Sequence, residues 1–162
     1  ALIALRKFPH NWKQYKKYKN HMNSINHPDT TKWLMQIMTG FAMFFLASVH
    51  LYIIITQSDK IGPLASSDRM YTDFLWPLYI LLLIAVEVHL SIGLYRLAIK
   101  WGYFEGSNAK ESRKILLKVK TVMGAFFIVL GLLTILAYMK IGYEHKDNYG
   151  ERYIPNAEKG AM

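Results

Sequence analysis

Cysteine is absent from this sequence of 162 residues. Its absence excludes disulfides, thiolate ligation of haem iron and iron–sulfur ligation within these residues. Internal repeats and low-complexity tracts are absent as well. A length below about 200 residues would ordinarily suggest one soluble domain, but the distribution of apolar residues overrides that expectation.

Acidic residues are also few. Eleven Asp and Glu stand against 20 Lys and Arg, which gives a net charge of +9. Such an excess can indicate nucleic-acid binding, but the basic residues lie mainly in 6–32 and 96–120, and the stretch 57–73 carries only Lys60 and Arg69. This alternation is the positive-inside pattern, which predicts that 57–73 and the tail lie outside and the two basic stretches in the cytoplasm. The basic run at 13–19 is then a topology determinant, an anionic-lipid contact or a docking surface, not a nucleic-acid site.

Three apolar stretches reach the length that a helix needs to cross a hydrocarbon core about 30 Å thick. They are residues 35–56, 74–97 and 122–139. The predicted fold class is therefore all-α, a polytopic transmembrane helix bundle in one domain over residues 1–162. The opening ALIAL followed by Arg6 and Lys7 suggests the end of an earlier apolar helix, so we expect a C-terminal piece of a longer protein.

The connections carry local signals. Residues 8–31 are predicted to be a polar connection with Pro9 and Pro28 as breakers, and residues 29–31 fit an N-cap cluster. The Gly62-Pro63 step predicts a loop with room for one turn of interfacial helix. Ser107 or Asn108 is predicted to cap a helix that starts near Ala109 and continues into the third span.

His50 and His89 lie inside the first two apolar stretches, where an ionisable side chain is costly and is a functional-site hypothesis by default. If these spans are antiparallel, helical rise separates the imidazoles by about 13 Å along the membrane normal. One metal centre cannot be held by both, but two stacked centres can, with further ligands from elsewhere. Imidazole pairs suit a six-coordinate haem iron that transfers electrons. An interhelical hydrogen bond is the alternative for each histidine. The other four histidines, His10, His21, His27 and His145, are expected in loops.

The surroundings of His89 fit a flat macrocycle. Ala85 and Gly93 lie one turn away on the same face, and Arg96 and Lys100 follow on that face toward the predicted cytoplasmic end. These cations suit haem propionates, although a close helix contact and interfacial anchoring explain the same pattern.

Glu87 is the third ionisable group within the spans. It lies roughly 200° around the helix from His89 and so faces away from a haem ligated there. A carboxyl in hydrocarbon can act as a proton relay, and a hydrogen bond from a neutral Glu to a neighbouring helix is the alternative.

Three strings carry a specific family resemblance: MTGFAMFFLASVHLYI, WPLYILLLIAVEVHLSIGLYRLAIKWGYF and VLGLLTILAYMKIGYE. They resemble the dihaem cytochrome b membrane anchor of bacterial menaquinol:fumarate reductases, in the complex II superfamily. The resemblance runs from RKFP to the end of the third span, and the tail beyond about Lys146 diverges. It implies five transmembrane helices in the whole subunit, of which this chain would have the last three and the end of the second.

The resemblance also implies roles for individual residues. His50 would be an axial ligand of the distal haem b and His89 of the proximal haem b, with partner ligands outside this chain. Glu87 would be a proton relay, and Trp33, Arg69 and Lys100 would contact haem propionates.

The implied function is electron transfer from menaquinol, through two haems, to an iron–sulfur subunit and a flavoprotein on the cytoplasmic side of the bacterial inner membrane. This is a role in anaerobic respiration in which the chain itself performs no fumarate chemistry. The alternatives are the cytochrome b anchor of a succinate dehydrogenase or of a hydrogenase, and a haem-free proton-coupled transporter.

Overall fold

The computed structural model describes residues 9–25, 27–58, 61–104 and 106–150. These residues form α-helices and one short 3-10 helix, with no strand among them. The helices are α1 (Trp12–Ile25), α2 (Pro28–Thr56), α3 (Pro63–Tyr71), α4 (Trp76–Trp101) and α5 (Ala109–Glu144), and the 3-10 helix is Lys146–Asn148. The chain divides into two compact units, Ala1–Met35 and Gln36–Met162. The all-α prediction is confirmed.

Three helices are long and apolar enough to cross a membrane. They cover Asp29–Thr56, Trp76–Trp101 and Ala109–Glu144. Each contains one predicted stretch, except that the second begins two residues later than expected, at Trp76. At about 1.5 Å of rise per residue, the 36 residues of α5 extend well beyond one hydrocarbon thickness. The polytopic membrane architecture predicted from the sequence is therefore confirmed.

In the second unit, α5 packs against both α3 and α4. Glycines allow the close approach. A Cβ at Gly131 would lie 2.6 Å from Leu83 Cδ1 on α4, and one at Gly142 would lie 2.6 Å from Tyr71 Cβ and would collide with the main-chain carbonyl of Ser67 on α3. Small residues that let helix backbones approach are the usual basis of helix association in membranes.

Helix α3 is longer than the single turn predicted, with nine residues, and it is well buried. Ser67 and Asp68 are almost fully enclosed. The chain after α5 completes the enclosure: Gly150 N donates to Asp68 Oδ2 at 3.2 Å, and Tyr149 Oη donates to Asp73 Oδ1 at 3.0 Å. The extra length is stabilised by these tertiary contacts, which the local sequence does not reveal.

The predicted start of α5 is confirmed. Asn108 is the N-cap, and its Oδ1 accepts a hydrogen bond from Glu111 N at 3.3 Å. The helix then continues from Ala109 into the third span without a break. Local capping chemistry was sufficient to fix this boundary.

The first unit corrects the prediction of a connection at 8–31. Helix α1 occupies Trp12–Ile25, because the stretch between the two prolines contains neither Pro nor Gly and its polar residues tolerate helix. His21 consequently lies on a helix and not in a loop. Helix α2 begins at Pro28, so residues 29–31 form its first turn instead of preceding it. Proline is well suited to the first helical position, which explains the earlier start.

Candidate functional site

A cavity of about 660 Å³ opens within the second unit, among α2, α3, α4 and α5. Its size is in the range of small-molecule and cofactor sites. The wall is mainly apolar, and leucine, isoleucine, phenylalanine and valine side chains contribute to it. The polar and charged side chains in it include His50, Arg69, Tyr79 and Glu87. The cavity thus brings together three of the residues singled out from the sequence.

His50 contributes an imidazole to this cavity from α2. Its Nδ1 lies 3.2 Å from Tyr79 Oη on α4, and the two rings meet edge to face with centroids 5.3 Å apart. Since the hydroxyl occupies Nδ1, Nε2 is the nitrogen left to act as a metal ligand. Tyr79 was missed from the sequence, because a tyrosine in an apolar run gives no sign of its partner on another helix.

His89 lies elsewhere, between α4 and α2. Its Nδ1 is 2.9 Å from the main-chain carbonyl of Gln36 and 3.4 Å from Thr39 Oγ1. Gly40 faces the ring so closely that a Cβ there would lie 3.0 Å from His89 Cε1. Here too Nδ1 is engaged and Nε2 is the ligating candidate.

The two cross-helix contacts define the relation between α2 and α4. His50, late in α2, meets Tyr79, early in α4, whereas Gln36 meets His89. The two helices are therefore antiparallel. Along α4, His89 lies ten residues beyond Tyr79, the partner of His50, which corresponds to a rise of about 15 Å. The structure thus separates the two imidazoles in depth, as the sequence predicted.

Glu87 is buried, with 8% of its surface exposed. Its Oε1 accepts a hydrogen bond of 2.8 Å from Ser91 Oγ. Oε1 would also lie 3.3 Å from a Cβ at Gly124 of α5. The carboxyl thus faces α5 while His89 faces α2, in agreement with their angular separation. Glu87 lines the same cavity as His50, which the helical angle alone could not show.

The three predicted propionate partners have different surroundings. Arg69 is only 5% exposed and lines the cavity, with Nε 3.4 Å from the Ala65 carbonyl. Lys100 is exposed in the last turn of α4. Trp33 belongs to the first unit, where its ring lies 5.6 Å from that of Tyr18. Arg96, which shares a face with His89, donates to Gln36 Oε1.

Among the described residues, no group of three or more His, Asp or Glu side chains is arranged to hold a metal ion. A bare ion would need several protein ligands. In haem, the porphyrin supplies four nitrogen ligands, so the protein needs to contribute only the axial ligands. Isolated imidazoles with Nδ1 engaged, one of them beside a large apolar cavity that includes a buried arginine, fit haem as the bound group.

Comparison with known proteins agrees with this chemistry. Residues 13–137 match the family of succinate dehydrogenase/fumarate reductase transmembrane subunits. The chain is 57% identical over 147 residues to the fumarate reductase cytochrome b subunit of Wolinella succinogenes, and 55% identical over 148 residues to proteins of that name from two strains of Helicobacter pylori. These matches cover 91% of this chain.

The same matches cover only 57% of the Wolinella protein and 56% of each Helicobacter protein. The chain therefore spans little more than half the length of these relatives. The family match, in contrast, includes all three candidate spans except the end of the last. On that match, the chain belongs to the succinate dehydrogenase/fumarate reductase transmembrane subunit family.

Proposed function

We propose that this chain is part of the membrane anchor of a fumarate reductase, which transfers electrons from menaquinol through two b haems to an iron–sulfur subunit. The observation that carries the proposal is the cavity shared by His50, Arg69 and Glu87. It combines a ligating nitrogen, a cation and a buried carboxyl inside a membrane-spanning bundle. The names of the relatives, all fumarate reductase cytochrome b subunits, support the same function.

The cavity is assigned to the distal haem. His50 would hold the haem iron through Nε2, and the buried guanidinium of Arg69 would pair with a propionate. Arginine suits this task because it remains charged when buried and binds carboxylates through two parallel hydrogen bonds. The apolar part of the wall would pack against the macrocycle.

The proximal haem is assigned to His89. By accepting from Nδ1–H, the Gln36 carbonyl would leave the lone pair on Nε2, through which His89 would hold the iron. Lys100 is a proposed propionate partner there, and Trp33 is a proposed propionate contact that is assigned to neither haem.

When bound, haem supplies one-electron transfer, and bis-histidine ligation favours that chemistry over oxygen activation. Oxidation of menaquinol near the outer face releases two electrons and two protons. Glu87 is placed to accept and release a proton at its carboxyl, beside the cavity, while Ser91 orients that group. The alternative role of Glu87 is a structural hydrogen bond within α4.

The proposed partners are the iron–sulfur subunit and the flavoprotein, on the cytoplasmic side of the bacterial inner membrane. The basic residues in the first turns of α5 would face them. The family description includes succinate dehydrogenases, so the reverse direction of electron flow is the second candidate. The identity of the subunits encoded beside the gene distinguishes a fumarate reductase from a succinate dehydrogenase. It also distinguishes both from a hydrogenase.

The test is a reduced-minus-oxidised visible spectrum with haem quantitation on the complete natural protein purified from membranes. We expect two b haems per subunit, and one fewer after His50→Ala or His89→Ala. His145→Ala is the matched control, since its imidazole is exposed at the end of α5. A folded protein without haem would overturn the proposal and favour the proton-coupled transporter.

A further inference from the structure

We propose that Tyr79 is a positioning residue for His50, and that its hydroxyl sets the tautomer, the ring orientation and the basicity of this ligand. The inference rests on the proposed function, because it assumes that His50 binds haem iron. It adds a residue that the sequence analysis did not single out, and it predicts a spectroscopic effect confined to one of the two haems.

The geometry supports a specific contact. Tyr79 Oη lies 3.2 Å from His50 Nδ1, and the rings meet at 79° with centroids 5.3 Å apart. The edge-to-face packing holds the imidazole in one plane while the hydroxyl holds one of its nitrogens. Both side chains line the cavity. Tyr79 can therefore fix the direction in which Nε2 points.

The identity of the donor follows from the chemistry of the ligand. A neutral imidazole carries its proton on one nitrogen and its lone pair on the other. Iron binding at Nε2 therefore places the proton on Nδ1, and the phenol oxygen of Tyr79 accepts a hydrogen bond from this N–H. Such an acceptor raises the basicity of a ligating histidine.

His89 provides a comparison within the same chain. Its Nδ1 is held by the main-chain carbonyl of Gln36, at 2.9 Å. No side-chain substitution removes that carbonyl, whereas the hydroxyl of Tyr79 can be removed by a single change. The two haems should therefore respond differently to substitutions around their ligands.

The consequence concerns the reduction potential. Hydrogen bonding to the axial ligand is one of the means by which a protein adjusts a haem. A more basic imidazole donates more electron density and stabilises the oxidised iron. Loss of the Tyr79 hydroxyl should weaken that donation and raise the midpoint potential of the haem that His50 ligates. The other haem should be unaffected.

The experiment is a potentiometric titration, followed by visible and electron paramagnetic resonance spectra, of the complete protein carrying Tyr79→Phe. This change keeps the ring and removes only the hydroxyl. His50→Ala identifies which haem belongs to His50. Tyr52→Phe is the control, since Tyr52 lies on the same helix as His50 but is 69% exposed.

We expect Tyr79→Phe to shift one midpoint upward, with a changed resonance signal for that haem, and Tyr52→Phe to shift neither. Tyr79→Leu, which also removes the ring, should give at least the same shift. Unchanged midpoints, an equal shift of both haems, loss of both haems, or a shift in Tyr79→Leu alone would each overturn the inference.

The failure of this inference is distinguishable from failure of the proposed function. If His50→Ala removes one haem while Tyr79→Phe leaves both midpoints in place, only the role of Tyr79 is wrong. If His50→Ala leaves both haems bound, the ligand assignment is wrong and the role of Tyr79 falls with it.

Discussion

Ser91 Oγ donates a hydrogen bond of 2.8 Å to Glu87 Oε1, one turn earlier on α4. The pair meets α5 at Gly124, where a Cβ would lie 3.0 Å from Ser91 Oγ and 3.3 Å from Glu87 Oε1. The absence of a side chain at position 124 thus allows a carboxyl to lie between two packed helices. An ionisable group within a membrane span usually marks a pathway for ions or protons.

Glu87→Gln should suppress turnover with menaquinol. General acid–base catalysis typically contributes about 10²–10⁴-fold to an enzymatic rate, and we expect a loss of about 10²-fold or more. The amide keeps an acceptor for Ser91 but cannot take up and release a proton. Both haems should remain bound, because Glu87 is not an iron ligand. Glu111→Gln is the control, since Glu111 is exposed and paired with Lys114. Unchanged turnover in Glu87→Gln would leave Glu87 with the structural role only.

Gly40→Val should reduce the occupancy of the haem assigned to His89. A Cβ at position 40 would already lie 3.0 Å from His89 Cε1 and 3.3 Å from Nδ1, so the added methyl groups would displace the imidazole from the Gln36 carbonyl. Ser48→Val, an exposed position on the same helix, is the control. Haem quantitation with spectra of each centre measures the effect, and full occupancy in Gly40→Val would contradict the assignment.

Arg69→Gln should weaken retention of the haem assigned to His50 and leave the other haem bound. The guanidinium is buried beside the cavity, and loss of a charge-assisted pair there removes about 1.5–3 kcal/mol. Arg113→Gln, at an exposed position on α5, controls for loss of a positive charge. The measurement is the haem content after dialysis in detergent. Equal loss of both haems would count against a local contact.

Gly142→Ala should destabilise the protein by about 1–3 kcal/mol, the usual cost of overpacking. The new Cβ would collide with the Ser67 carbonyl and lie 2.6 Å from Tyr71 Cβ. Gly106→Ala is the matched control, because its Cβ would meet only Ser112 Oγ at 3.4 Å. Thermal unfolding in detergent should show a lower midpoint for Gly142→Ala alone. Equal midpoints would mean that α3 and α5 can separate without cost.

Asp68→Ala should destabilise more than Asp73→Ala. Asp68 is 1% exposed and accepts from Gly150 N, so its removal takes the acceptor from a part-buried N–H, at a cost of about 1–3 kcal/mol. Asp73 is exposed and accepts from Tyr149 Oη, and surface changes usually fall within about 0.5 kcal/mol. The same unfolding assay compares the two variants. The reverse order would show that the segment after α5 does not stabilise α3.

Much of the fold was accessible from local signals. The apolar stretches at 35–56, 74–97 and 122–139 predicted the three long helices, because length and composition suffice to identify a span. Ser107 or Asn108 as an N-cap predicted the start of α5, because capping chemistry acts between near neighbours in the chain. Helix α1 was missed because the many polar residues between the two prolines were interpreted as a connection, although Trp12, Tyr15, Tyr18, Met22 and Ile25 recur at helical spacing.

The candidate site was accessible only in part. Buried ionisable residues in apolar runs identified His50, His89 and Glu87, and helical rise placed the two histidines at different depths. The family resemblance, not any local pattern, supplied Arg69. Tyr79, Gln36 and Gly40 were missed because their importance depends on contacts across helices, which one sequence without its relatives does not reveal.

The sequence by itself therefore determined the spans, their main boundaries and the ionisable residues within them, because helical rise, capping and hydropathy act between near neighbours in the chain. Tertiary structure alone decided that Tyr79 meets His50 and that the Gln36 carbonyl meets His89. It also decided that Arg69 and Glu87 border one cavity with His50. The physical reason is that the register between helices depends on close packing between residues far apart in the sequence. Gly131 packs against Leu83, and Gly142 packs against Ser67 and Tyr71.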